Sequence, residues 1–373
     1  MPGPLALPSL EIHNFRGLRE LKIARLGRAN LIVGKNNVGK TSVLEALRIY
    51  ASSPPSSGIL DVLRDRDELY TVAGRNNTRL LNGFLPIKSL FFGRRFFPDK
   101  EQLAIAIGPI PPSSEILTIG AGLQIDATRP ETEVNGVLSV DGVGHLTVNF
   151  GFGGRSWNLP IDDAEEFQRL DTSWRHTLGD RFVNQGRPHV WVGRLGLDSE
   201  TIERLWAKVA MSDREQELVR CLQLIDPDIE RVSLIPASES RRELTPFVRI
   251  RGIGEPIYVG SLGEGVVRLL GIALALLNAG HGLFLADEIE SGLHYSIQQD
   301  VWRFIFDVAS KYSVQVFATT HSSDCVAAFQ AAASESEEDG VLIRLARKGD
   351  RILVGEYDKA LLEKAVDGGV EVR

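Results

Sequence analysis

Apolar and polar residues alternate with two different periodicities in the first fifty positions of this chain. Residues 10–17 and 21–26 alternate apolar with polar side chains, as half-buried β-strands do. We expect them to pair as a hairpin that leads to the apolar run 31–33. After residue 41 the apolar side chains recur at helical spacing, at Val43, Leu44, Ala46, Leu47 and Ile49. The pattern therefore predicts a strand, a short loop and a helix in direct succession.

The next hundred residues change from a helical to a strand-like pattern. A cluster of serine, proline and glycine at 52–58 ends the helix, and residues 59–80 read as partly helical. Short β-type runs separated by turn residues follow, at 90–92, 103–107, 115–119, 137–140 and 146–150. We expect these runs to form an antiparallel sheet. The polar stretch 151–188 has weak periodicity, and its pattern predicts no element.

A helical segment comes after that polar stretch. Asp198 is placed to cap a helix whose apolar positions are Ile202, Leu205 and Trp206. Ser212 and Glu215 have the spacing of a capping box ahead of a second helix, which Asp226-Pro227 stops.

Strands and helices alternate in the last third of the chain. Residues 248–251 and 256–259 read as strands. They precede an apolar helix at 266–277, a buried strand at 283–286, an amphipathic helix at 297–308 and another buried strand at 314–319. This alternation implies a parallel sheet, which binds ligands at the carboxyl ends of its strands. A hairpin of 341–345 with 351–354 and a short helix complete the pattern.

Together these segments predict an α/β fold in one bilobed unit. We expect a mixed or antiparallel β lobe with the loop at 34–41, a partly helical insertion, a parallel-sheet lobe and a C-terminal hairpin with a helix. The predicted boundaries are 1–58 and 87–150 for the first lobe, 151–235 for the insertion, 236–335 for the second lobe and 336–373 for the C-terminal part.

Composition narrows the classes of partner. The 373 residues are 43% hydrophobic and 24% charged, which is ordinary globular usage. A net charge of −7 gives no general attraction to nucleic acid or to anionic lipid, so any DNA contact has to be local or made by a partner. Two cysteines, Cys221 and Cys325, fit a reducing cytoplasm. Because a basic leader and an apolar run of about 20 residues are both missing, we expect a cytoplasmic protein without a membrane contact.

The segment from Gly34 to Thr41 has the residue pattern of a phosphate-binding loop. It lies between the predicted strand and helix, where backbone N–H groups and the helix dipole favour an anion. We expect Lys40 to reach the β- and γ-phosphates of ATP, and Thr41 to place its hydroxyl on Mg²⁺. The predicted nucleotide contacts here are Asn36, Asn37, Val38, Gly39, Lys40 and Thr41 of this segment and Ser42, which follows it.

Two acidic residues and a histidine follow the buried strands of the second lobe. Asp287 and Glu288 come directly after 283–286, and adjacent residues at a strand end point to opposite sides, so their roles differ. Asp287 fits the Mg²⁺ shell, and Glu288 fits the base that orients and deprotonates the attacking water. His321 follows the neighbouring strand, where we expect it to contact the γ-phosphate.

Ser261-Leu-Gly-Glu-Gly265 precedes the apolar helix and forms a second helix N-terminus able to bind an anion. We expect nucleotide contacts from Ser261, Gly263 and Glu264. If this segment does not fold back onto its own phosphate loop, it serves the nucleotide of another subunit. ATP would then hold together a homodimer or a higher homo-oligomer.

The chain resembles an ABC-type ATPase of the OLD (overcoming lysogenization defect) family, close to RecF- and SMC-like ATPase heads. The residues that carry the resemblance are 14–17, 34–41, 261–265, 287–294 and 320–322. The resemblance implies that Lys40 is the Walker A lysine and that Asp287 and Glu288 form the Walker B pair. It also makes Ser261 and Gly263 the signature motif and His321 the switch histidine.

The resemblance also assigns roles to two further segments, whereas the Q-loop glutamine and the TOPRIM pattern of the family are not found. Residues 290–294 correspond to the D-loop, and Asn14 to Arg16 would line the adenine side. By the resemblance the Q-loop falls at 90–95, and these residues contain no glutamine. OLD proteins usually continue into a TOPRIM nuclease domain, whereas about fifty residues without its acidic pattern follow His321 here.

These observations predict an ATP-hydrolysing switch that dimerises around ATP. By resemblance, it controls a separately encoded effector, a TOPRIM-like nuclease, in anti-phage defence. The alternative is a RecF- or SMC-like DNA-binding ATPase clamp that acts in DNA repair or maintenance. Long heptad arms would favour the clamp, and the sequence contains none.

Overall fold

The computed structural model describes residues 3–68, 87–94, 104–125, 144–161, 186–238 and 241–361. The chain divides into two compact units. The α/β unit comprises Met1–Pro8, Ile23–Leu44 and Arg187–Arg373, and the antiparallel unit comprises Ser9–Lys22 and Glu45–Gly186.

Strands and helices alternate irregularly along the described residues. The strands are β1 (Leu10–Phe15), β2 (Leu18–Ile23), β3 (Ala29–Gly34), β4 (Ile105–Gly108), β5 (Leu117–Ile125), β6 (Gly144–Phe152), β7 (Arg155–Ile161), β8 (His189–Val192), β9 (Ile229–Ser238), β10 (Arg241–Ile250), β11 (Ile257–Tyr258), β12 (Leu283–Ala286), β13 (Gln315–Thr319), β14 (Gly340–Lys348) and β15 (Arg351–Tyr357). The helices are α1 (Lys40–Ala51), α2 (Pro55–Asp65), α3 (Ser199–Val209), α4 (Arg214–Leu222), α5 (Glu264–Asn278), α6 (Tyr295–Lys311) and α7 (Ser323–Glu335).

The α/β unit is built on a six-stranded sheet in the order β15-β14-β3-β13-β12-β8. Its strands run parallel from β14 to β8, and β15 joins the edge antiparallel. Every residue of β3, β12 and β13 is buried, as expected for strands covered on both faces. Because these strands are parallel, the residues that follow them meet at one edge of the sheet.

Helix α5 supplies much of the core of this unit. From Val266 to Leu277 all its residues except Val267 are buried, and α3 and α4 pack against it. A smaller antiparallel sheet, in the order β11-β10-β9, precedes α5 in the chain. A short 3₁₀ turn, Val259–Leu262, connects that sheet to the helix.

The antiparallel unit contains a sheet in the order β2-β1-β4-β5-β6-β7 and the helix α2. A buried charge cluster lies within it. The guanidinium of Arg16 makes two hydrogen bonds to Glu68, of 3.0 and 3.1 Å, and an ion pair of 2.7 Å with Glu45. Burial raises the pKa of Glu45 in spite of the neighbouring arginines. The side chain of Arg16 is thus engaged inside its own unit.

Most elements predicted from the sequence are confirmed. The two hairpins, the loop between β3 and α1, the Asp198-capped helix, the apolar helix and the parallel strands are all present. The strand predicted at 90–92 is wrong, because Phe91 makes one isolated bridge to Phe15 and a 3₁₀ turn follows at Phe92–Arg94. The run 137–140 lies outside the described residues.

The predicted capping box is also wrong. Helix α4 begins at Arg214, and its N-cap residue is Asp213 rather than Ser212. The Ser212 hydroxyl accepts from the Arg214 amide, and the Glu215 carboxylate accepts from the Met211 amide. The reciprocal bonds of a capping box are replaced by two local turn contacts.

Strand pairing differs from the predicted division into lobes. The strand of the phosphate loop, β3, was assigned to the β lobe, but it lies between β14 and β13 in the same sheet as the strand before Asp287. The reason is physical: all residues of β3 are buried, most of them are apolar, and the parallel sheet is where both faces of a strand are covered.

Sequence reasoning also missed three strands of the described residues. These are β7, β8 and β9. Among the described helices, none combines the length and the apolar character that crossing a membrane requires.

Candidate functional site

The phosphate loop begins where β3 leaves the sheet. Gly34 has φ +144°, and a Cβ there would collide with the carbonyl oxygen of Leu345, so only glycine fits this position. Asn37 and Gly39 also have positive φ, which turns the loop before α1 starts at Lys40. Asn36 and Asn37 are exposed, whereas Val38 and Ser42 are buried.

Lys40 lies almost wholly inside this loop, with 5% of its surface exposed. Its Nζ donates to the carbonyl oxygens of Gly34 at 2.7 Å and Lys35 at 3.2 Å. Burial lowers the pKa of Lys40, and the carboxylates of Asp287, Glu288 and Glu290 oppose that shift. The ammonium is therefore fixed in position and short of solvent, which suits it to bind a phosphate oxygen.

Asp287 and Thr41 bring two kinds of oxygen together. The Thr41 hydroxyl lies 3.2 Å from each carboxylate oxygen of Asp287. Asp287 Oδ1 also accepts a 2.6 Å hydrogen bond from Thr319, at the end of β13. A hydroxyl beside a carboxylate is an oxygen donor set that suits a small hard cation such as Mg²⁺.

Glu288 and His321 stand next to this pair. His321 Nδ1 is 3.4 Å from Lys40 Nζ, and its Nε2 is 3.9 Å from Glu288 Oε1. Glu288 keeps 30% of its side chain exposed, so water can reach the carboxylate. The structure thus brings Lys40, Thr41, Asp287, Glu288 and His321 together at the carboxyl ends of β3, β12 and β13.

The segment after Glu288 supports the histidine. Glu290 Oε1 accepts a hydrogen bond from the backbone amide of His321 at 3.1 Å. His294 forms the N-cap of α6 through its own side chain. The predicted D-loop residues 290–294 therefore join the end of β12 to the start of α6.

The predicted signature segment forms an exposed helix start. Gly263 has φ +100° and precedes α5, and the Ser261 hydroxyl donates to the carbonyl of Tyr258 at 2.7 Å. Ser261, Gly263 and Glu264 are exposed, and Gly292 lies beside Glu264. Within the described part of the chain, no hydrogen bond or ion pair joins this segment to the phosphate loop.

The predicted adenine-side residues lie in the antiparallel unit. Asn14 donates from its side-chain amide to the carbonyl of Ala104, and Arg16 takes part in the buried charge cluster with Glu45 and Glu68. Their contact with a nucleotide stays a prediction.

Arg268 was missed as a residue of this site. It lies in the first turns of α5 with 5% of its surface exposed, and it donates to the carbonyls of Asp287 at 3.0 Å and Glu288 at 2.8 Å. One signal could have revealed it, because Arg268 is the single charged residue in the apolar run 266–277. Thr319 was also missed, and nothing in the sequence indicates its contacts.

Two family models match this chain. The model described as "AAA ATPase domain" matches residues 6–81 and so includes the phosphate loop. The model described as "AAA domain, putative AbiEii toxin, Type IV TA system" matches residues 159–325, which include the signature segment, the acidic pair and His321.

Three similar proteins are 14–21% identical to this chain. An ATP/GTP phosphatase of Helicobacter pylori is 21% identical over 346 residues, which is 86% of each chain. An SMC head bound to the C-winged helix domain of ScpA is 15% identical with a TM-score of 0.48, covering 97% of this chain and all of that one. The SMC head domain from Thermotoga maritima is 14% identical with a TM-score of 0.42, covering 94% and 98%.

The phosphate loop and the acidic pair lie within the regions that match ATPase models, and the fold places them side by side. The chain is therefore an ATPase whose phosphate loop and acidic pair each lie in a region that matches an AAA domain model.

Proposed function

We propose that the site at the carboxyl ends of β3, β12 and β13 hydrolyses ATP with Mg²⁺. The observation that carries this proposal is the meeting of Lys40, Thr41 and Asp287 with Glu288 and His321. Lys40 binds the β- and γ-phosphates, and the oxygens of Thr41 and Asp287 hold the cation. When bound, Mg²⁺ neutralises phosphate charge.

Glu288 is the base in this proposal. Its carboxylate orients a water molecule for attack on the γ-phosphorus and accepts one proton from it. The bond from the γ-phosphorus to the β–γ bridging oxygen breaks as the new P–O bond forms, so the products are ADP and phosphate. His321, between Glu288 and Lys40, donates a hydrogen bond to the γ-phosphate and so reports whether that phosphate is present. Phosphoryl transfer needs mainly positioning and charge stabilisation, which these fixed side chains supply.

We propose further that the site is completed by a second copy of the chain. The signature residues Ser261, Gly263 and Glu264 are exposed at the start of α5 and have no bond to the phosphate loop among the described residues. A helix N-terminus that faces solvent is free to bind the γ-phosphate held by another subunit. ATP then links two chains into a symmetric dimer, alone or within a higher oligomer.

The cellular role that we propose is control of a separately encoded effector in anti-phage defence. Support comes from the resemblance to OLD proteins, in which a TOPRIM nuclease accompanies the ATPase. The description of one matching family, which names a putative toxin of a toxin–antitoxin system, is compatible with this role. The effector expected here is a TOPRIM-like nuclease.

Glu288→Gln tests the proposal, because the amide keeps the shape of the side chain but cannot take a proton. We expect normal ATP binding and phosphate release about 100-fold slower or more, within the usual range for a lost general base. The variant should also accumulate as an ATP-bound dimer, visible by mass measurement. Coexpressed with the neighbouring gene's product, it should retain that effector in a stable complex.

Glu337→Gln is the matched control, since Glu337 is exposed and lies outside the site. It should hydrolyse ATP at the wild-type rate. Wild-type turnover in Glu288→Gln would reject the assignment of the base. Failure to retain the effector, with turnover lost as expected, would reject only the cellular role.

A further inference from the structure

Glu288 has a backbone conformation that its residue type disfavours. Its φ is +46°, in the left-handed region, which is unfavourable for a residue other than glycine. Such a conformation persists only where the surroundings impose it. The contacts that hold this backbone therefore decide where the carboxylate lies.

Two side chains hold the backbone of Glu288 from opposite ends. Its amide donates to the hydroxyl oxygen of Thr319 at 2.9 Å, and its carbonyl accepts from Arg268 at 2.8 Å. The Thr319 hydroxyl in turn donates to Asp287 Oδ1 at 2.6 Å. One hydroxyl thus fixes both members of the acidic pair relative to β13.

Arg268 also joins two neighbouring strand ends. Its Nη1 donates to the carbonyl of Gly193 at 2.7 Å, directly after β8, and its Nη2 donates to the carbonyls of Asp287 and Glu288 after β12. A buried guanidinium needs hydrogen bonds to offset its lost hydration. Here its partners are the backbone carbonyls of Asp287 and Glu288 and the carbonyl of Gly193 in the turn after β8.

Arg268 is close in the chain to the signature segment. It lies seven residues after Ser261, within the first turns of the helix that the signature segment begins. If α5 shifted along its axis, Arg268 would shift with it, and its hydrogen bond would move the Glu288 carbonyl. Contact of the signature with a phosphate and placement of the base are then mechanically linked.

We propose that Arg268 and Thr319 are positioning residues that hold Glu288 in its active orientation, with Arg268 linking that orientation to the signature helix. The inference rests on the proposed role of Glu288 as the base. Neither side chain touches the nucleotide in this account, and both act through the backbone of Glu288.

A double-mutant cycle with Arg268→Lys and Glu288→Gln tests the inference. Lysine keeps the charge but lacks the planar, rigid fork of N–H groups with which arginine donates in fixed directions to both strand ends. We expect Arg268→Lys to lower the single-turnover rate of ATP hydrolysis by about 10- to 100-fold at unchanged ATP affinity, as a misplaced catalytic group does. In the Glu288→Gln background the same change should alter the rate less than about twofold, because the base it positions is already absent.

Thr319 offers a second pair of variants. Thr319→Val keeps the shape and removes the hydroxyl, whereas Thr319→Ser keeps the hydroxyl. We expect valine to slow hydrolysis and serine to retain most of the rate, at equal ATP affinity. If circular dichroism shows that Arg268→Lys does not fold, the two Thr319 variants test whether the contacts to the Glu288 backbone affect the rate of hydrolysis. Arg303→Lys, on the exposed side of α6, is the matched control and should hydrolyse ATP normally.

The outcomes separate this inference from the proposed function. Lost turnover in Glu288→Gln with wild-type rates in Arg268→Lys and Thr319→Val would overturn the inference alone. Rate effects of Arg268→Lys and Glu288→Gln that multiply in the double variant would also overturn it, because they show independent action. Wild-type turnover in Glu288→Gln would overturn the base assignment and the inference together.

Discussion

Lys40 is surrounded by oxygen atoms of the loop that precedes it. Carbonyls of Gly34 and Lys35 hold the ammonium, and burial lowers its pKa. A phosphate that enters the loop meets a cation already in place, so little ordering is needed on binding. The exposed fraction of 5% also means that few water molecules have to leave the ammonium.

We expect Lys40→Ala to weaken ATP binding by about 10- to 100-fold, since hydrogen bonds to charged groups contribute about 1.5–3 kcal/mol. A titration with a fluorescent ATP analogue measures the affinity, and circular dichroism checks the fold. Lys208→Ala removes a lysine from an exposed position of α3 and serves as the control. Equal affinity in the two variants would reject the assignment of Lys40.

Single residues differ in how far the sequence could predict them. Lys40, Thr41, Asp287 and Glu288 belong to short local motifs, and they were assigned to one site because both motifs are expected to bind the same nucleotide and its Mg²⁺. The contacts of Arg268 depend on carbonyls about 20 and 75 residues away in the chain, and local patterns do not encode such partners.

Helix caps also show that a local sequence pattern predicts only part of the structure. Asp198 was predicted correctly, because it accepts from the Thr201 amide at 2.8 Å three residues later. The capping box at Ser212 failed although its spacing was right, because the chain turns there with Met211 at φ +61°. An N-cap residue typically has an extended backbone, whereas Asp213 at the start of α4 has φ −58° and ψ −18° and makes no side-chain cap.

Asp198→Ala should lower the free energy of unfolding by about 1 kcal/mol, the usual effect of a lost N-cap, and Asp198→Asn should keep most of it. Burial raises the pKa of Asp198, but hydrogen bonds from Thr201 outweigh it, and the net pKa lies below the ordinary value. The stability from this carboxylate is therefore present above the ordinary aspartate pKa and is lost as the pH falls through the folded pKa. Urea unfolding of the three proteins at neutral pH and near pH 3 measures this. An alanine variant as stable as wild type at neutral pH would contradict it.

Strand β8 was missed for a different reason. It has four residues, too few to show alternation, and its place is set by pairing with Leu283–Ala286 of β12. Its end nevertheless matters to the site, because the Asp287 amide donates to the carbonyl of Val192 at 2.9 Å. A short strand whose register comes from its neighbour cannot be found by periodicity alone.

At the scale of the whole molecule, the sequence predicted the fold class and the order of motifs better than the grouping of strands. The predicted lobes separated β3 from β12, yet both lie in one sheet with β13 between them. Sequence order suggested the separation, since more than 200 residues lie between the two strands. The apolar character of both strands is the property that decides their common sheet.

In the proposed assembly, each ATP is enclosed by two chains. Lys40→Ala removes the phosphate loop's cation, and Ser261→Glu places a negative charge at the exposed signature helix. Each variant alone should be inactive. Ser334→Glu, at an exposed serine of α7 whose hydroxyl also bonds a nearby carbonyl, should remain active and is the control.

Steady-state phosphate release from an equimolar mixture of Lys40→Ala and Ser261→Glu is the most direct test. In a heterodimer, one of the two sites has both an intact loop and an intact signature. If chains exchange freely and each site fires on its own, the mixture should recover about a quarter of wild-type activity, because half of the dimers are mixed and half of their sites are complete. A mixture no more active than either parent, with heterodimers confirmed by mass measurement, would contradict the shared site.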